Sequence, residues 1–139
     1  MKRLITIVLA ALVTLVAACG DDDAGTTTTT LPEGAVIAEF STPDGNFKVL
    51  LTGTAAEQAR TAFANGTQPG IPNGRILRGD GGVNTGHDWH LVEVEFADLA
   101  IEVCDGTANY IDTVGYDEWI ANAGDRYCPW GAQLIAVTE

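Results

Sequence analysis

Val36-Ile37-Ala38-Glu39-Phe40-Ser41-Thr42, then Pro43-Asp44-Gly45, then Asn46-Phe47-Lys48-Val49-Leu50-Leu51-Thr52 is the stretch whose reading decides the fold. Val36, Ala38 and Phe40 alternate with Ile37, Glu39 and Ser41, the period-two signature of a strand with one buried face. The Pro-Asp-Gly between the two runs is a turn, because proline presets one backbone angle and glycine accepts a positive one. The stretch predicts an antiparallel hairpin.

Toward the C-terminus, Thr54-Ala55-Ala56-Glu57 has the hydroxyl and carboxylate spacing of a capping box, an alanine-rich stretch runs on to Asn65, and Gly66 is placed to stop it. This is the one clear helix, with Ala59, Ala62 and Phe63 as its buried stripe and Arg60 paired with a nearby acid. Between Gly66 and Gly86 stand Pro69, Gly70, Pro72, Gly74, Gly79, Gly81 and Gly82, which read as a long loop broken only by an extended Arg75–Arg78. Trp89–Phe96 and Leu99–Val103 read as two strands turning at Ala97-Asp98. That register sets Phe96 opposite Leu99, Val94 opposite Ile101, Val92 opposite Val103, and His90 opposite Asp105. Asp105 is expected to cap a short helix through Ile111, Tyr116–Ala121 to add a further helical turn, and Gln133–Val137 to close the chain as a strand. The fold class is α+β: one small domain over residues 35–139, mostly antiparallel sheet, with one clear helix and one or two short ones.

Toward the N-terminus the composition changes. Residues 20–34 hold Asp21-Asp22-Asp23, five consecutive threonines and Leu31-Pro32-Glu33-Gly34, with almost nothing to bury. This reads as a flexible tether whose threonines are candidates for O-linked sugar. Met1-Lys2-Arg3 is a basic start, and Leu4–Ala18 is an apolar run too short for a typical spanning helix, so residues 1–19 read as a signal peptide. Val16-Ala17-Ala18-Cys19-Gly20 resembles a bacterial lipobox, which implies a lipid on Cys19 and an extracytoplasmic, membrane-anchored protein. An ordinary signal peptide with Cys19 incidental is the other reading. The full chain carries 7 basic and 19 acidic side chains, a net charge of −12. Loss of Lys2 and Arg3 with the leader makes the acidic excess larger still. Such a domain repels phosphate backbones, so nucleic acid is not expected as a partner, whereas cations and basic surfaces are compatible.

The second half spells Gly86-His87-Asp88-Trp89-His90-Leu91, then Ala100-Ile101-Glu102-Val103-Cys104-Asp105, then Arg126-Tyr127-Cys128-Pro129-Trp130. This resembles the N-terminal domain of the calmodulin-binding protein BP seventy-four family, in which the same runs follow in the same order. The likeness covers Phe40 to Val137 and is best after Gly74. It implies a small β-rich module of unsettled function and does not imply an enzyme. Calmodulin is not expected as a partner, since an exported lipoprotein does not meet it. The glycine-rich stretch from Gly79 to Gly86 departs from the family pattern.

Cys104 and Cys128 are an even pair once Cys19 is lipidated, and in an oxidising compartment a disulfide is favoured; two buried thiols are the alternative. With His87 and His90 they offer the donor types of a tetrahedral zinc site, but neither has a second cysteine two residues away, so no metal is assigned. Asp80-Gly81-Gly82-Val83-Asn84 fails as a calcium loop: Gly82 stands where an oxygen ligand belongs, and Leu91 where a glutamate does. His90 beside Asp105 reads as a core histidine oriented by a carboxylate, with a general base as the sharper alternative. The catalytic version lacks a nucleophile, because Ser41 is the only serine. Trp89, Trp130 and Arg126 are candidates to line a ligand pocket, with Arg126 paired to Glu102 or Asp105. Together with His87, Asp88 and His90 these complete the candidate ligand-binding set. No cofactor is called for. The favoured function is an anchored, non-enzymatic binding domain for a protein or small molecule. A His/Asp or metal-dependent hydrolase comes second and a structural envelope component third.

Overall fold

A computed structural model describes residues 30–139. The leader, Cys19 and most of the tether lie outside the described residues. Strand β1 (Val36–Thr42) turns through Pro43-Asp44 into β2 (Gly45–Leu51), and the pair run antiparallel with Val36 opposite Leu51 and Phe40 opposite Phe47. The hairpin expected from Pro-Asp-Gly is present, with Val36, Ala38 and Phe40 buried and Ile37, Glu39 and Ser41 less so. Helix α1 (Gly53–Asn65) follows and ends on Gly66 in the left-handed region at φ 66°. Its boundary residue is Thr52, which makes no side-chain cap, so the expected box at Thr54 and Glu57 does not form. Glu57 instead pairs with Arg60 at 2.9 Å, and Arg60 also holds Glu139 at 2.9 Å. The buried stripe is Ala55, Ala56, Ala59 and Ala62, while Phe63 is half exposed. Alanines let the helix approach the sheet more closely than a phenylalanine stripe would.

The expected loop contains a strand. β3 (Ile71–Arg78) is central in a second sheet of order β4-β3-β5, with β4 at Trp89–Ala97 and the short β5 at Arg126–Tyr127. Pro72 is tolerated because of its direction. The Ile76 N–H donates toward the β5 side, to Asp125 O at 2.9 Å. By the period of two Pro72 faces that same side, past Gly74 and Arg75, where the pairing with β5 stops. The 3₁₀ turn at Glu102–Cys104, helices α2 (Ala108–Val114) and α3 (Tyr116–Ala123), and β6 (Gln133–Thr138) complete the domain. β6 pairs antiparallel with β1, giving a first sheet of order β2-β1-β6. The architecture is thus small α+β, with two antiparallel three-stranded sheets and three helices among the described residues. None of those helices is long and apolar enough to cross a membrane.

An aromatic cluster joins the two sheets. Phe47 stacks on Phe40 at 5.4 Å and meets Trp89 at 5.8 Å and Tyr127 at 5.5 Å, while Tyr127 takes Trp119 edge-on at 5.6 Å. Burial, and after it the charges of Asp44, Asp105 and Asp112, push the Tyr127 phenol far above its ordinary range. It stays neutral and donates to Gly106 O at 3.3 Å.

Leu99–Val103 is not a strand, which corrects the expected second hairpin. β4 pairs with β3 instead, His90 lies opposite Leu77, and Leu99, Ile101 and Val103 stand 88%, 67% and 53% exposed. This segment is held by a cysteine pair and by hydrogen bonds rather than by a ladder. Cys104 and Cys128 lie at disulfide distance with their Cα atoms 5.2 Å apart, and the Cys128 N–H donates to Cys104 O at 2.8 Å. Cys104 thus sits on a 3₁₀ turn, not on a central strand. Asp105 does not cap α2; its Oδ1 accepts the Trp130 N–H at 2.8 Å and the Gly106 N–H at 2.9 Å.

Candidate functional site

The loop between β3 and β4 is fastened by residues whose sequence signal is weak. Asn84 is buried, accepts the Lys48 N–H at 2.8 Å and donates to Trp89 O at 2.9 Å, tying the loop both to β2 and to the start of β4. Gly81, at φ 61°, lies where a Cβ would come within 2.6 Å of the His90 ring, so only glycine lets the loop fold back over that histidine. His90 Nδ1 donates to Gly79 O at 2.6 Å. His90 is therefore a loop anchor, and its expected partnership with Asp105 does not exist.

His87 makes the second fastening. Its Nε2 donates to Asn46 O at 2.8 Å, and Nδ1 faces Asp112 Oδ2 at 2.6 Å. A carbonyl accepts only, so Nε2 is the donor to Asn46, and Nδ1 is turned to the Asp112 carboxylate. The ring is largely buried and packs on Trp89 at 5.1 Å between centroids. Neither nitrogen is free to take a proton from a nucleophile, so this His–Asp pair lacks the geometry of a general base.

These fastenings shape a cleft of about 740 Å³ between the end of β3, the loop, and the junction of α2 with α3. Trp89 and Ile111, both buried, line it together with His87, Asp88 and Asp112; Arg78, Tyr116, Asp117 and Glu118 complete the wall. Arg78 lies 4.6 Å over the Tyr116 ring and pairs with Asp117. The Trp89 indole Nε1 is the one buried side-chain nitrogen or oxygen without a hydrogen-bond partner among the described residues.

Of the residues nominated from sequence, the structure brings His87, Asp88 and Trp89 together in this cleft. Glu102, Asp105 and Trp130 lie instead around the Cys104–Cys128 pair, and His90 lies under the loop. Arg126 pairs with neither Glu102 nor Asp105. It donates to Asn73 Oδ1 from Nε at 3.0 Å and Nη2 at 2.7 Å, with Glu95 at 3.7 Å, so Trp89, Trp130 and Arg126 do not share a pocket. Arg78, Asp112, Tyr116, Asp117 and Glu118 were not legible as site residues. Their only local signal, acids in the first turn of α3, is ordinary helix-end electrostatics. No group of three or more His, Cys, Asp or Glu side chains among the described residues is placed to hold a metal ion.

A family model for the BP seventy-four N-terminal domain matches residues 34–139. The chain belongs to the BP seventy-four N-terminal domain family. The match takes in every element from β1 to β6, and so extends the likeness read over Phe40 to Val137 by a few residues at each end, to the whole of β1 and of β6. It also takes in the glycine-rich Gly79–Gly86 stretch, whose last residue, Gly86, lines the cleft in this BP seventy-four N-terminal domain. No curated protein and no solved structure matches the chain.

Proposed function

We propose that this chain is an exported, lipid-anchored binding domain that takes its ligand in the cleft between the β3–β4 loop and the α2–α3 junction, and that it performs no chemistry there. The observation that carries the reading is the state of His87: the one histidine lining the cleft has both ring nitrogens committed to Asn46 O and Asp112. A site with its only imidazole used as a structural brace is suited to holding a ligand. Anchoring is supported by the basic start, the apolar run and the Ala17-Ala18-Cys19 step, and surface display by the acidic, threonine-rich tether.

Two measurements test this. Mature protein is expected to partition into detergent and Cys19→Ser to abolish that; an unlipidated Cys19 by intact mass in membrane-derived protein overturns the anchor. The binding reading is tested by ¹⁵N chemical-shift titration of the purified mature protein in non-ionic detergent, using small cations, anions, sugars and short peptides. Shifts confined to the cleft are expected for at least one class. Shifts confined to another face would overturn the assignment.

A further inference from the structure

We propose that the exposed strip from Leu99 to Val103 is a docking surface for a partner polypeptide, which presents an extended segment with aliphatic side chains alternating with lysine or arginine. None of the strip's residues lines the cleft, so the inference stands apart from the cleft's own ligand. Leu99, Ile101 and Val103 are each more than half exposed. Such residues scattered singly need no explanation. Here three occupy alternate positions of one segment, and the half-exposed Trp130 is fastened to the end of that segment through its N–H on Asp105, a grouping that marks an interaction surface. The main chain is unspent as well. Ile101 is extended, with φ −76° and ψ 142°, and the N–H groups of Leu99, Ala100 and Ile101 meet no backbone acceptor among the described residues. An extended run with free donors and outward aliphatic side chains suits strand addition, in which the backbone gives affinity and alternate side chains give specificity.

Charge decides which segment fits. Asp98, Glu102 and Asp105 flank and interleave the three aliphatic residues, and none of these acids is in an ion pair among the described residues. No lysine or arginine stands between Arg78 and Arg126 in the chain. Val103 and Asp105 also line, with Tyr110 and Trp119, a groove of about 180 Å³ in which apolar and aromatic walls stand beside a carboxylate. The apolar stem and cationic head of a lysine or arginine match that combination. A second copy of the chain does not, because two such strips would set acid against acid. A bilayer is disfavoured by position. The described chain enters at the Val36 end of β1, whereas Asp105–Thr107 and Gly131–Ala132 share a small cleft with Thr42 and Pro43 at its other end, roughly 20 Å along the strand. That sets the strip at the end of the domain remote from the tether.

The test uses the mature protein with its lipid carried in phosphatidylcholine nanodiscs, and a dye-labelled heptapeptide amide in which lysine alternates with valine. Peptides alternating glutamate with valine, and lysine with serine, are the contrasting arms, read by fluorescence anisotropy and ¹⁵N chemical shifts. The lysine–valine peptide is expected to bind more tightly than either contrasting peptide, to shift the amides of Asp98–Val103, and to slow solvent exchange of at least one of the Leu99, Ala100 and Ile101 amides. Its binding should weaken as salt is raised from about 50 to about 500 mM. Leu99→Ser and Ile101→Ser should each raise Kd about fivefold or more, and Asp98→Lys and Glu102→Lys about threefold or more. All four side chains are exposed, and unchanged spectra away from the strip show that the variants fold. Equal binding of the glutamate–valine or lysine–serine peptide overturns the assignment, as do an unchanged Kd in both serine variants and no binding at all. Shifts confined to His87–Trp89 overturn the strip and leave the cleft as the binding site. Strip shifts that grow with protein concentration alone, or with added phosphatidylglycerol vesicles alone, overturn it in favour of a second copy or a membrane.

Discussion

Glu93 is the residue at which the strand pattern of the sequence breaks. It has φ 53°, the only positive value at a non-glycine position among the described residues, and with Val94 it stands opposite the single residue Gly74. This bulge changes the phase of β4. Trp89 and Leu91 point inward before it and Val94 and Phe96 pack on the core after it, so the face expected for Val92, Val94 and Phe96 does not extend back to His90. Arg75 holds the bulged residue through hydrogen bonds at 2.9 and 3.1 Å, and the same hydrogen-bonded charge keeps the Glu93 carboxyl below its ordinary value. Across the strand, a Cβ on Gly74 would sit 2.7 Å from Val94 Cγ2 and 3.1 Å from the Val92 carbonyl oxygen. Gly74→Ala is therefore expected to destabilise the domain by roughly 1–3 kcal/mol in urea unfolding, as overpacking does. A change below about 0.5 kcal/mol would show that the bulge relaxes freely.

At the scale of elements, α2 is capped from a distance. Its own Thr107 makes no side-chain cap. The β1–β2 turn supplies one instead: Thr42 Oγ1 accepts the Ala108 N–H at 3.1 Å, Asp44 Oδ1 accepts the Asn109 N–H at 3.2 Å, and Thr107 donates its hydroxyl to Asp44. The turn predicted from Pro43-Asp44-Gly45 thus also starts a helix more than sixty residues later. Burial raises the Asp44 carboxyl, but hydrogen bonds from Thr107, the Asn109 N–H and Thr42 outweigh it and hold the group below its ordinary value. A carboxylate lowered in the folded state contributes stability that is present above its unfolded pKa and lost as pH falls through the folded one. Asp44→Ala should cost about 1 kcal/mol near neutral pH, the usual worth of a cap. That cost should shrink as the pH is taken from about 7 to about 3. An undiminished cost at the acidic end would mean that Asp44 acts through packing and not through its charge.

For the whole molecule, the Cys104–Cys128 pair closes a sequence separation of 24 and places the 98–105 segment, buried at Cys104, beside the end of β5. In the chain-entropy picture a loop of this size stabilises by about 2–4 kcal/mol. Reduction of exported protein is accordingly expected to lower Tm by on the order of 10–20 °C. Two titratable thiols in unfolded, non-reduced mature protein would refute the bridge. The tie has a visible consequence for the surface: it keeps Leu99, Ile101 and Val103 displayed without giving them a sheet to join.

The amino-acid sequence by itself determined what depends on local chemistry. A period-two run around Pro-Asp-Gly has one good solution, and so do an alanine run stopped by a glycine and a family pattern in Ala100–Asp105 and Arg126–Trp130. The first hairpin, α1, both short helices, β6 and the family were legible for that reason. Tertiary structure decided whatever depends on a distant partner. β3 is a strand despite Pro72 and Gly74 because β4 pairs along one side of it and β5 ends before Pro72 on the other. Leu99–Val103 alternates like a strand and is none: β4 is an edge strand whose second side takes no partner among the described residues, and the segment instead runs into the 3₁₀ turn at Glu102–Cys104, where Cys104 meets Cys128. The cleft was half legible. His87, Asp88 and Trp89 stand together in the chain, but Arg78, Asp112, Tyr116, Asp117 and Glu118 reach them only when the loop is fastened by Asn84 to β2 and by His87 to α2. A hydrogen bond between residues 36 positions apart leaves no periodicity, so its consequences emerge only from the folded chain.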